Sequence, residues 1–106
     1  MQLGKMYLVK ELFWLLFPTK EVACDLMAIG WDSPLEATVE KGQAYQEADY
    51  ISEHMCCDVA VVEENTCFVL LEQDEKLFKL LDCNGNIGWI WCRCLSFSKY
   101  FEIVKE

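Results

Sequence analysis

Histidine and proline are scarce in this chain of 106 residues: His54 stands alone, and Pro18 and Pro34 are the two prolines. A single histidine gives general acid–base or nucleophilic catalysis little material. A Cys-His pair built from His54 and the nearby Cys56–Cys57 would require sequence neighbours to meet in space, with no oxyanion-hole signature beside them. No glycine-rich loop of the kind that cradles phosphate is present. Long apolar runs are missing too. The strongest, Leu12–Phe17, is six residues, far short of the ~20 that cross a bilayer and under the ~7–15 of a secretory core. Lys20 and Glu21 also stand where small residues precede a cleavage site. Positive charge is nearly absent from residues 34–75, where Lys41 faces eleven carboxylates. With a net charge of −9 for the whole chain, such a field repels phosphate backbones and argues against nucleic acid. No membrane association is expected.

The chain has the size of a single domain, residues 1–106, large enough to fold without disulfides or metal. Its apolar fraction of 54% implies a dense core, or apolar surface kept for a partner. The seven cysteines are an odd number, and several lie in strand-like apolar runs. This fits a reducing, cytoplasmic setting, where cysteine acts as a small buried hydrophobe. Cys92-x-Cys94 lies in an apolar strand and lacks the knuckle turn of structural zinc sites. No metal or cofactor is expected.

Met6–Phe17 has no clean period. Its Leu, Met, Lys and Glu content and Pro18 at its end predict a helix, a strand buried on both faces being the alternative. A second helix follows: Thr19 caps it, Val22, Leu26 and Ile29 share a face, and Gly30 suits the C-terminal cap. Trp31–Pro34 reads as a turn and Glu36–Val39 as a short strand. Gly42–Met55 is polar and too irregular for a regular element. Val59–Val62 is a strand, ended by a turn at Glu63–Asn65. Thr66–Leu71 and Leu77–Leu81 pair around a Gln73–Glu75 loop. Asn84-Gly85 predicts a type I′ hairpin, which needs positive φ at both central residues.

Phe68–Leu71, Phe78-Lys79-Leu80, the Asn84-Gly85-Asn86 turn and Gly88-Trp89-Ile90 together resemble bacterial Src-homology-3-like (SH3-like) domains. A helical turn at Ser96–Tyr100 and a closing strand at Phe101–Val104 continue the match. It covers residues 66–104 well and residues 35–62 loosely. The resemblance implies an α+β, mainly β fold: a small, partly open SH3-like barrel at 35–106 behind an N-terminal helical segment, residues 1–34. It also implies a binding role, with Tyr100 as a groove tyrosine and Tyr45 or Tyr50 as aromatics of the long first loop. Leu77 and Cys92 stand where proline-rich-peptide binders carry an aromatic and a proline, so that specificity does not transfer.

Trp89 and Trp91 are two apart on one strand and share a face, with Arg93 in the same row. Ile90, Cys92 and Cys94 face the other way. The small side chains are expected inside and the indoles outside, either beneath the N-terminal helices or open as a platform. The expected function is a non-catalytic module that binds a protein or peptide. Its binding residues would be Tyr45, Tyr50, Trp89, Trp91, Arg93 and Tyr100, with the acidic middle third selecting a basic partner. Residues 6–17 offer a surface for a homodimer. The alternatives are an acidic inhibitor mimicking nucleic acid, and a small cysteine-dependent enzyme or metal protein.

Overall fold

The computed structural model describes residues 3–28, 39–92 and 97–104. In chain order the elements are β1 (Met6–Val9), β2 (Trp14–Leu16), α1 (Lys20–Ala28), α2 (Lys41–Met55), β3 (Ala60–Val62), β4 (Cys67–Asp74), β5 (Leu77–Asp82), β6 (Ile87–Trp91), α3 (Phe97–Tyr100) and β7 (Phe101–Ile103). The protein is small, α+β and mostly β. A five-stranded antiparallel sheet runs β6-β5-β4-β1-β7, and β2 and β3 form a separate two-stranded ribbon.

The expected helix over Met6–Phe17 is two strands instead. Leu12, at φ 74°, takes the left-handed conformation that breaks a right-handed helix and redirects the chain. Beyond it the side chains alternate. Trp14 and Leu16 enter one core, while Phe13, Leu15 and Phe17 enter another. An apolar run buried on both faces carries no period, which is why the sequence misleads here. Residues 13–17 are all buried within the chain, so their apolar surface is not open to a second copy.

α1 forms where expected. Thr19 Oγ1 accepts the Val22 N–H at 3.4 Å, and Ala23 and Leu26 are buried. The expected Gly30 cap and Trp31–Pro34 turn lie outside the described residues, as does most of the Glu36–Val39 strand; Val39 itself is an exposed bend.

The segment read as irregular, Gly42–Met55, is also corrected: Lys41–Met55 is a 15-residue helix. Its buried face is Ala44, Ala48 and Ile51, at helical spacing. Two alanines give almost no hydrophobic signal, although alanine is the best helix former. Cys56, at φ 51°, ends the helix in a left-handed cap whose N–H bonds to Ser52 O. The Ser52 hydroxyl then accepts the Val59 N–H at 2.9 Å, fixing the path into β3.

Two cores share the β2–β3 ribbon as a common wall. Trp14, Leu16 and Val62 face the inner side of the large sheet with Val9, Phe68, Leu70, Phe78, Leu80, Ile90 and Phe101. Phe13, Leu15, Phe17 and Val61 face the helices, together with Ala23, Leu26, Ala48, Ile51 and Trp89. An antiparallel bridge between Phe17 and Trp89 joins the ribbon to the edge of β6. The described residues form no closed barrel.

The hairpins fall where the sequence places them, with tighter chemistry. Between β4 and β5 the turn is Glu75–Lys76 alone, with Glu75 at φ 55°. A bulge at Leu71 shifts the register between Leu70 and Glu72. At Asn84–Gly85 only Gly85 has positive φ, at 85°, so the type I′ expectation fails. Instead Gly85 N–H bonds to Asp82 O at 3.2 Å and Asp82 N–H to Asn86 O at 2.9 Å. This is a three-residue loop with a left-handed glycine.

Candidate functional site

The structure disperses the expected aromatic strip. Trp89 is 9% exposed and belongs to the core beneath the helices, so of the two alternatives for its indole the covered one holds. The Lys20 and Lys79 ammonium groups lie 5.6 and 6.0 Å from its ring centroid. Each is also ion-paired, Lys20 with Asp74 at 2.8 Å and Lys79 with Glu72 at 3.3 Å. The Asp74 hydrogen bond pushes the Lys20 pKa upward. These contacts clamp the start of α1 to the β4–β5 hairpin. Trp91 is half-buried against the same core.

Tyr100 packs on the other core. Its ring meets Trp14 edge-on at 5.3 Å, so it does not continue the tryptophan row. Arg93 lies outside the described residues. Tyr45 and Tyr50 are both exposed on α2, at 40% and 56%. Five residues apart, they point about 140° from each other around the helix. Tyr50 stacks on His54, with centroids 6.1 Å apart.

Tyr45 is the predicted residue with the most defined surroundings. Its hydroxyl donates to Glu63 Oε2 at 2.5 Å, and Lys41 Nζ approaches Glu63 Oε1 at 3.2 Å. The bond to Glu63 pushes the Tyr45 pKa up to about 12, with desolvation assisting. The same bond, and that from Lys41, hold the Glu63 carboxyl below its ordinary value. α2 is thereby tied to the residue that follows β3.

Glu63 also lines a cleft of about 200 Å³, with Val61, Val62, Thr66, Asp82, Cys83 and Asn84. The unanticipated member is Asp82, which is 7% exposed. Its Oδ1 accepts the Asn84 and Asn86 N–H groups at 3.0 and 2.8 Å, and Oδ2 accepts Asn86 Nδ2 at 3.3 Å. The signal was in the sequence: an aspartate two residues before Asn84-Gly85 is poised to bond the backbone of its own turn.

The outer side of α2 is acidic. Asp49 and Glu53 are exposed there, and Asp58 and Glu64 on the loops flanking β3. Lys41 is the single cation among residues 41–64, and it is engaged with Glu63. Elsewhere, Met6, Val69, Leu81 and Ile87 stand directly opposite one another across β1, β4, β5 and β6, a part-exposed aliphatic row.

The cysteine readings gain no support. No cluster of three or more metal-ligating side chains occurs among the described residues. Burial and neighbouring Asp58 push the Cys57 thiol pKa up, opposite to the shift that activates a nucleophile. Cys56, in the left-handed cap beyond α2, directs its thiol to Glu53 O at 3.9 Å. Comparison with known proteins returned nothing: no family model, no curated protein and no solved structure matches this chain.

Proposed function

We propose that this chain is a non-catalytic protein- or peptide-binding module that selects a basic partner through the outer side of α2 and the loops flanking β3. One observation carries this reading: Asp49 and Glu53 are exposed on α2 together with Tyr45 and Tyr50, and Asp58 and Glu64 are exposed on the loops flanking β3. The only cation of that stretch is spent on Glu63. Tyrosine supplies contact area at little entropic cost, and unpaired carboxylates supply long-range attraction for a cationic partner. Trp89 and Tyr100 drop out of the proposed surface because each is packed into a core.

An SH3-like architecture is part of the same reading. It is supported by the strand order β7-β1-β4-β5-β6 and by the short helix directly before β7. The β2-α1-α2-β3 unit then occupies the long connection between the first and second strands of that sheet.

The test is selection of a random peptide library on the immobilised protein. Recovered peptides should be rich in Lys and Arg, and their binding should fall steeply between about 0.05 and 0.5 M salt as charges are screened. A D49K/E53K double variant should lose them. Selection of peptides without basic enrichment would reject the proposal.

A further inference from the structure

The cleft beside Glu63 has a chemistry more specific than the acidic surface around it. We infer that it is a subsite for one lysine side chain of the basic partner, an inference that rests on the module reading above.

Size comes first. Small-molecule sites usually enclose ~300–1,000 Å³; at about 200 Å³ this cleft suits a single side chain rather than a cofactor. Its lining is two-part. Val61 and Val62, each packed into a different core and only 7% and 3% exposed, leave a narrow apolar edge to it, while Glu63, Asp82 and Thr66 offer oxygen. A long aliphatic stem with a charged tip matches such a division.

The polar lining acts mainly through acceptors. The Thr66 hydroxyl spends its proton on Glu63 O at 2.6 Å, leaving its lone pairs. Both carboxylates accept, and among the described residues Asp82 Oδ2 holds only the 3.3 Å bond from Asn86. Among the described residues no cation lines the cleft. Lys41 reaches Glu63 from outside, and its side chain is 61% exposed; so open a pair contributes little and yields readily. An ammonium carries three donors and no acceptor, the complement of this lining.

Lysine is favoured over arginine for a geometric reason. A guanidinium binds best when both oxygens of one carboxylate are available side by side. Here the Tyr45 hydroxyl holds one of the two Glu63 oxygens, and the loop donors engage both oxygens of Asp82. The remaining lone pairs belong to separate groups, which a compact ammonium satisfies one at a time.

The test is a ¹⁵N NMR titration of the intact chain with Nα-acetyl-lysine methylamide, its norleucine counterpart and its arginine counterpart. The lysine compound should give saturable shifts at the Thr66, Cys83 and Asn84 amides, the norleucine compound none, and the arginine compound should bind several-fold more weakly. E63Q, its fold checked by spectral dispersion, should weaken lysine binding roughly tenfold, as expected for losing one charge-assisted contact. Absence of saturation, or equal responses to lysine and norleucine, would overturn the assignment without any variant; so would arginine binding as well as lysine. Selected basic peptides that shift α2 but leave the cleft silent would reject the subsite and leave the module standing. Lysine binding in the cleft without any selected basic peptide would do the reverse.

Discussion

Phe17 and Trp89 exchange both backbone hydrogen bonds, at 2.8 and 2.7 Å, and that single bridge fastens the β2–β3 ribbon to the edge of β6. The approach depends on Gly88. A Cβ there would sit 2.5 Å from Phe17 O and 2.8 Å from Leu16 Cγ, and neither the carbonyl nor the buried leucine has room to retreat.

Gly88→Ala should therefore destabilise the protein by about 1–3 kcal/mol, the usual cost of overfilling a packed site. Urea denaturation reads this as a lower midpoint with an unchanged slope. A midpoint within error of wild type would mean that the bridge is not a tight joint.

Asp82→Ala should cost about 1–3 kcal/mol, because two loop N–H groups lose their acceptor in a part-buried setting. Amide exchange at Asn84 and Asn86 should accelerate more than exchange in β1. If all amides accelerate alike, the carboxylate does not hold the loop locally.

Tyr45 and Glu63 link stability to pH at both ends of the scale. The Tyr45 pKa is raised from 10.0 to about 12 on folding, so its contribution is complete below pH 10 and is lost as pH rises from 10 to about 12. The Glu63 pKa is lowered from 4.5, so its contribution is complete above that pH and is lost on acidification. The stability gap between wild type and Y45F should be flat near neutrality and close in both limits. An ultraviolet phenolate titration of wild type should show a step near pH 12 that Y45F lacks; a titration curve that changes only in amplitude would contradict the hydrogen bond.

Cys56→Gly should stabilise the chain by roughly 0.5–1 kcal/mol. Cys56 is exposed and held at φ 51°, a left-handed cap where a Cβ is a liability and glycine is preferred. Thermal unfolding measures the gain. A lower melting temperature would show that the Cys56 side chain has a structural role.

How much of this was legible in the sequence follows from how each element announces itself. β4, β5 and β6 are apolar runs bounded by turn residues, and α1 has a cap and a three-residue apolar face, so all were readable. The α2 helix hides because Ala44 and Ala48 bury a face without being conspicuously hydrophobic. The two strands within Met6–Phe17 hide because burial on both faces removes the alternation that marks a strand. The candidate site was legible only in part. Tyr45 stood out as an exposed aromatic, but its partner Glu63 lies 18 residues away, across a helix end and a strand. That pairing is made by tertiary structure alone.

The β2–β3 ribbon presents Trp14, Leu16 and Val62 to one core and Phe13, Leu15, Phe17 and Val61 to the other. Neither layer can melt while the other survives intact, because lifting the helices bares the back of the wall that seals the sheet-side interior. Heat and denaturant should accordingly dismantle the protein in one step, with helical and tryptophan signals vanishing together.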